Sequence, residues 1–279
     1  MKTCCVGDLW RVSRGHNLML AAAGVLAGGW IALGTIALPK LLAFAAVSGM
    51  GLGAAGNVAN DLADASLDRL NPAAAQRPIA AGRMRPETAH LLVWLGSLVG
   101  LGAATLVSGR QVVVGALALV AMLGYSPWLK RHGLPGNVAV AGIAGLPLFY
   151  GALAVGRPAA GVVPWVLAAW IHLARELTKD LQDEPGDRAQ GRRTLPVRLG
   201  RHGAARIVWW CCLAFVPLSI ALPVASRYSA MYFVVAVAAQ LLVLVAGRGV
   251  LRERFARASL MLKAAMAIGL AALVLGGIA

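Results

Sequence analysis

Acid is scarce in this chain. Eleven Asp and Glu stand among 279 residues, against 26 Lys and Arg. Charged residues of both signs make up 13% of the sequence, about half the ~25% usual in a soluble domain. An ordinary water-soluble fold is excluded by that shortage. The 59% hydrophobic content excludes disorder, which needs low hydrophobicity and high charge density. Cysteine is sparse as well: Cys4-Cys5 and Cys211-Cys212 are adjacent pairs without metal-ligand spacing, and they read as reduced thiols filling small spaces. A cleavable leader is not expected, because Asp8, Arg11, Arg14 and His16 precede a first apolar run long enough to be a full span.

What fills the sequence is apolar. Mean hydropathy is +0.73, and a spanning helix needs ~20 mostly apolar residues. Nine runs meet that need, near 18–38, 41–62, 89–107, 112–129, 138–155, 162–181, 204–224, 231–247 and 260–278. No long linker divides them. The expected architecture is therefore all-α: a polytopic membrane protein with nine transmembrane helices in one bundle, residues 1–279 forming a single domain without a soluble one. The formal charge of +15 is spread between the apolar runs, which argues against a nucleic-acid partner. With the N-terminus on the cytoplasmic side, only Lys40, Arg110, Arg157 and Arg227 of the 26 basic residues fall on the opposite face, as the positive-inside rule requires. Trp30, Trp94, Trp128, Trp165, Trp209 and Trp210 lie near span ends and read as interface anchors.

The few acids are concentrated. Asp61, Asp64 and Asp68 form one group; Glu176, Asp180, Asp183, Glu184 and Asp187 form another, so two short windows hold eight of the eleven. At ~100° per helical residue, Asp61, Asp64 and Asp68 lie within about 60° of one another. Asn57 falls in that arc and Asn60 beside it. Asp180, Asp183 and Asp187 repeat the spacing, with Glu176 one turn earlier. Pro185-Gly186 stands before Asp187, and a helix broken there would take Asp187 off the stripe. Like charges three and four residues apart repel, and ionisable groups at membrane depth are costly, so a cation must balance them. Hard oxygen donors without thiolate or imidazole suit Mg²⁺, which binds through one or two carboxylates and substrate phosphate oxygens. Two such stripes, each followed by a basic loop, describe a site for a metal-chelated diphosphate. Ordinary surface acids would have no reason to repeat one spacing twice.

These residues carry a family resemblance. Asn60-Asp61-Leu-Ala-Asp64-Ala-Ser-Leu-Asp68 resembles the N-D-x-x-D-x-x-x-D motif of the UbiA superfamily of intramembrane prenyltransferases, and Asp180-Leu-Gln-Asp183-Glu-Pro-Gly-Asp187 resembles its second motif. Arg77-Pro78, Gly82-Arg83 and the stretch from Tyr125 to Lys130 also match, while Gln76 stands where the family wording has Asn. The wording Arg175-Glu176-Leu-Thr-Lys179-Asp180, then Gly186-Asp187 and Gly191-Arg-Arg-Thr194-Leu195-Pro196, is similar to the digeranylgeranylglyceryl phosphate synthase branch.

The resemblance implies transfer of a prenyl group from an allylic diphosphate donor to a lipid-like acceptor inside the membrane. It implies Mg²⁺ held by Asn60, Asp61, Asp64, Asp68, Asp180, Asp183 and Asp187. Asn57, Asp61 and Asp180 would bind the ion directly or through another ligand, and Asn57 would also contact substrate. Asp64, Asp68, Asp183, Asp187 and Lys130 would be the catalytic groups. Arg77, Arg83 and Lys130 are then the expected diphosphate contacts, and Arg175 and Lys179 lie off the carboxylate stripe, where they would serve the acceptor or orient the acids. Tyr125 would touch the substrate or anchor the interface, and His172 reads as a satisfied membrane histidine. The expected acceptor is the hydroxyl of geranylgeranylglyceryl phosphate and the expected donor group geranylgeranyl. Arg192-Arg193-Thr194-Leu195 followed by Val197-Arg198-Leu199-Gly200 also resembles naphthoate prenyltransferases, which keeps an aromatic acceptor open. A divalent-cation transporter is the reading from another class; transport sites lie near the bilayer midplane, whereas both clusters fall at one membrane surface.

Overall fold

A computed structural model describes residues 6–69, 75–125, 133–189 and 191–277, apart from the side chain at position 67. Among them every regular element is a helix: α1 (Val6–Val12), α2 (Gly15–Leu33), α3 (Lys40–Asp68), α4 (Pro86–Thr105), α5 (Gly109–Tyr125), α6 (Leu134–Ala154), α7 (Pro158–Ala189), α8 (Leu195–Ala225), α9 (Ala230–Leu251) and α10 (Phe255–Gly276). Among the described residues, each of the nine apolar runs overlaps one of α2 to α10. Seven of these helices are long and apolar enough to cross a membrane; α5 is a shorter apolar helix. The protein is a multi-pass membrane protein.

The helix ends follow local chemistry. Gly34 ends α2 in the left-handed conformation at φ 73°, its N–H reaching the Trp30 carbonyl, as glycine after a helix commonly does. Pro86 and Pro196 sit in the first turns of α4 and α8, where a missing N–H costs nothing.

Two helices run farther than their apolar pattern. α7 continues through Pro185 and Gly186 to Ala189, so Asp187 stays on the stripe that a break there would have disrupted. Proline loses one backbone bond, and so near a helix end little of the ladder depends on it. α8 begins at Leu195, ahead of the apolar run, and passes a kink at Gly200, whose φ is 71°. Much of the basic connection after α7 is therefore helical.

The interior is apolar, and unlike that of a soluble protein the outer surface is apolar too. Large side chains such as Leu98, Val120, Trp94, Val234 and Leu260 face outward, where lipid accepts them. Small residues bring the helices together. Gly51 of α3 lies against Gly100 of α4, where an added Cβ would come 2.7 Å from the Gly100 nitrogen. A Cβ on Gly28 of α2 would overlap the Leu148 carbonyl of α6, and one on Gly151 of α6 would overlap the Val25 carbonyl of α2. The α2–α6 contact is thus backbone against backbone. The C-terminal core joins α7, α8, α9 and α10 through Leu177, Leu181, Val208, Phe215, Val243 and Leu262.

Candidate active site

α3 ends and α6 begins at the same end of the bundle, and α7 ends there too. The two acid-bearing stripes therefore face one space. A cavity of about 1150 Å³ is lined by Asn57, Asn60, Asp64 and Asp68 of α3 and by Glu176, Asp180, Asp183 and Asp187 of α7. Below the carboxylates its wall turns apolar, with Leu52, Ala118, Met122, Val140, Ile143, Leu167 and Ile171.

The first stripe is held by arginines. Arg77 Nη1 donates to Asp68 Oδ2 at 2.8 Å and lies 3.5 Å from Asp61 Oδ1. Arg14 Nη2, from the start of α2, reaches Asp61 at 2.9 Å. Asp61 is buried and does not line the cavity; its carboxylate organises Arg14 and Arg77 behind the stripe. Burial raises the Asp68 carboxyl from its ordinary value, with Arg77 partly offsetting it. Asn57 Nδ2 donates to the Ser13 carbonyl at 2.9 Å and ties α3 to the start of α2.

The second stripe is held differently. Asn137 Nδ2, one turn into α6, donates to Asp180 Oδ2 at 2.7 Å. Arg192 Nη1 donates to Asp187 Oδ1 at 2.9 Å. Arg175 and Lys179 both grip Glu176, at 3.1 Å and 2.9 Å, and all three line the cavity. The Arg175 Nε is buried without a hydrogen-bond partner. Glu184 faces away and pairs with Arg188 and Arg201 at 2.8 Å and 2.7 Å.

Tyr125 closes α5 on the cavity wall. Arg83 is not brought to the cavity: it pairs with Asp8 at 3.0 Å and donates to the Gln76 carbonyl at 2.7 Å. It fixes the loop after α3 to α1. Lys130 lies outside the described residues, as does Trp128.

A profile of the UbiA prenyltransferase family matches residues 21–276. The chain belongs to that family. Among relatives of this UbiA-family protein, digeranylgeranylglyceryl phosphate synthase of Thermococcus gammatolerans is 35% identical over 274 residues, covering 96% of this chain and 97% of its own. A solved structure concerned with digeranylgeranylglyceryl phosphate synthase in membranes superposes with a TM-score of 0.83 at 21% identity, covering 98% of each chain. A UbiA homologue from Archaeoglobus fulgidus, bound to GPP and Mg²⁺, gives a TM-score of 0.68 at 15% identity, covering 95% of this chain and 99% of its own.

Four cavity residues of this UbiA-family protein lie outside the acid motifs, and the sequence assigns none of them a role at the site, although Asn137 and Arg192 stand in stretches that match the family. Arg14 sits in what reads as a charged tail, and Arg192 in what reads as a loop. Asn137 carries a faint signal, a lone amide at the opening of a span. The signal for Lys263 is the plainest: a single cation inside the last apolar run.

Proposed function

We propose that this protein is a Mg²⁺-dependent prenyltransferase that moves a geranylgeranyl group from its diphosphate to the free hydroxyl of geranylgeranylglyceryl phosphate. The observation that carries the reading is one cavity with carboxylates from α3 and α7 at one end and an apolar wall beyond. The relative at 35% identity bears the name of that activity, and an A. fulgidus homologue is bound to GPP and Mg²⁺.

The donor set fits the ion: it offers carboxylate and amide oxygens and no thiolate, and the imidazole of α7 on the cavity wall, His172, stands one turn before Glu176, away from Asp180, Asp183 and Asp187. No three His, Cys, Asp or Glu groups gather into a cage among the described residues. That suits an ion taking one or two carboxylates from each stripe, with phosphate oxygens and water completing its shell. Asn60, Asp64, Asp68, Asp180, Asp183 and Asp187 are the residues that would hold it, and Asp61 would orient the arginines behind them. Bound there, Mg²⁺ supplies positive charge that favours the diphosphate as a leaving group.

The protein's residues do the rest. Arg77, Lys130 and Arg192 hold the diphosphate oxygens as the bond from the prenyl C1 to oxygen breaks, the electron pair leaving with the diphosphate. The apolar wall excludes water, which would otherwise capture the allylic cation. The acceptor hydroxyl oxygen forms the new bond to C1, and its proton passes to an oxygen of the released diphosphate. Arg175 and Lys179 face the acceptor side. The chain forms one domain of nine spans, with its N-terminus and the carboxylate end cytoplasmic.

The arm of the cavity between α2, α3, α5 and α6 suits the donor chain. Sixteen residues separate Asp64 from Ser48 on α3, about 24 Å at ~1.5 Å per residue. This span is comparable to an extended geranylgeranyl chain. Tyr150 closes the arm. Its hydroxyl lies 2.7 Å from that of Ser48 and donates to the Gln111 carbonyl at 3.3 Å, while Gln111 Nε2 donates to the Tyr150 carbonyl at 3.0 Å. Replacing Tyr150 by Ala should open the arm and raise the kcat/KM ratio of a donor one isoprene unit longer over geranylgeranyl diphosphate by about tenfold. Competition between the two donors, with products resolved by mass spectrometry, reads the ratio directly.

The function itself is tested with purified protein in detergent, geranylgeranyl diphosphate, Mg²⁺ and two acceptors in parallel. Product on geranylgeranylglyceryl phosphate, lost with EDTA, is the expected result. Product only on dihydroxynaphthoate would move the protein to aromatic prenylation, and no diphosphate release from any mixture would end the transferase reading.

A further inference from the structure

Lys263 is the only charged residue of α10 beyond Arg257. It stands eight residues from the start of the helix at Phe255, about 12 Å along it at ~1.5 Å per residue. A cation at such depth is expensive unless an anion or water answers it. Among the described residues no carboxylate pairs with it. The carboxylates nearest in function are otherwise engaged: Glu176 by Arg175 and Lys179, Asp187 by Arg192, and Asp180 by Asn137.

Its position on the helix is specific. Lys263 lines the cavity and shares a face with Met266, Ala267, Leu270 and Leu273, which line it too, at offsets of three, four, seven and ten residues. These apolar neighbours line the cavity with Phe215 of α8 and Ala236 of α9, and the polar side chains Ser219 and Gln240 on that wall are hydrogen-bonded to each other at 2.9 Å; we call this wall the second arm. A helical side chain leans towards the N-terminus of its helix, and for Lys263 that is the carboxylate end. The cavity thus has two apolar arms. One descends from the carboxylates; the other descends from an unanswered ammonium group.

We propose that Lys263 binds the phosphate of the acceptor lipid and that the arm beneath it, between α8, α9 and α10, receives the acceptor's hydrocarbon chain. This rests on the prenyl-transfer reading above and deepens it. The matching chemistry is a phosphate monoester on a single-chain amphiphile: the anion answers Lys263, and the chain covers Met266, Leu270 and Leu273. An uncharged or aromatic acceptor would leave the ammonium unsatisfied, so Lys263 is a specificity residue.

The test compares wild type with Lys263→Met and Lys263→Arg, using geranylgeranylglyceryl phosphate and its dephosphorylated alcohol as acceptors. Lys263→Met should raise KM for the phosphate acceptor by about tenfold or more, the usual effect of losing a charged hydrogen bond. KM for geranylgeranyl diphosphate and the rate on the alcohol should stay unchanged, and Lys263→Arg should restore most of the phosphate preference. An equal loss on both acceptors, or a shifted donor KM, would assign Lys263 a structural or donor role and overturn the proposal. So would an unchanged KM for the phosphate acceptor, which would leave a lysine that only reaches the lipid headgroups. A wild type inactive on the phosphate acceptor overturns the functional reading and this inference together; an active wild type with an unaffected Lys263→Met overturns the inference alone.

Discussion

Asp64→Ala and Asp183→Ala should each lower kcat by about a hundred- to a thousandfold, the range seen when one group stabilising transition-state charge is removed. Asp64 comes from α3 and Asp183 from α7, and both line the cavity. Carboxylates repel a diphosphate as they repel one another, so each row would act only through the Mg²⁺ it helps to hold, which would supply the positive charge. Loss of one carboxylate from either row therefore removes a shared function. The double variant should be little worse than each single one, as happens for groups that act as a unit. Both singles should need higher Mg²⁺ to reach half their residual rate. Asp61→Asn provides the contrast: Asp61 is buried behind the stripe with Arg14 and Arg77, so its loss should raise donor KM through misplaced arginines and leave the Mg²⁺ requirement nearly intact. Equal Mg²⁺ dependence in all three variants would refute this division of labour. Initial rates across a Mg²⁺ titration, measured by released diphosphate, separate the cases.

The cavity's acid lining was legible because acid is rare here and helical spacing converts sequence offsets into faces. Asn60, Asp64 and Asp68 face the cavity, as do Asp180, Asp183 and Asp187, and the offsets of three and four residues needed no tertiary information. Asp61 differs because it sits at the edge of the same arc, where the choice between cavity and protein depends on what packs beside it. Here Arg14 and Arg77 do, and an arginine 47 residues away leaves no local trace. Arg83 fails for the same reason. Its partner Asp8 is 75 residues earlier, and a short N-terminal helix that reads as a charged tail supplies it. The apolar runs locate helices well because lipid demands continuous helix across the hydrocarbon. They place the ends of α7 and α8 less well, since beyond the membrane surface polarity no longer distinguishes helix from loop. Lys263 was visible as a lone cation, but only the folded cavity separates a lysine that reaches for headgroups from one that faces substrate.

Gly151→Ala should destabilise the protein by about 2–3 kcal/mol, the upper part of the range for overpacking, and lower Tm in detergent by about 5–10 °C. The added methyl would overlap the Val25 carbonyl and come 2.8 Å from the Gly29 nitrogen. Both are backbone atoms in the middle of α2, so no rotamer change can relieve the clash; α2 and α6 must part. Gly28→Ala meets the Leu148 carbonyl from the other side of the same contact and should behave alike, and the pair should be less than additive because one separation relieves both. Gly102 in α4 has nothing within 4 Å of an added Cβ, so Gly102→Ala should be neutral or stabilising by up to ~1 kcal/mol through helix propensity. The comparison removes propensity from the result, since alanine favours helix at all three positions. If Gly151→Ala and Gly102→Ala melt together, the close approach of α2 and α6 is not a source of stability.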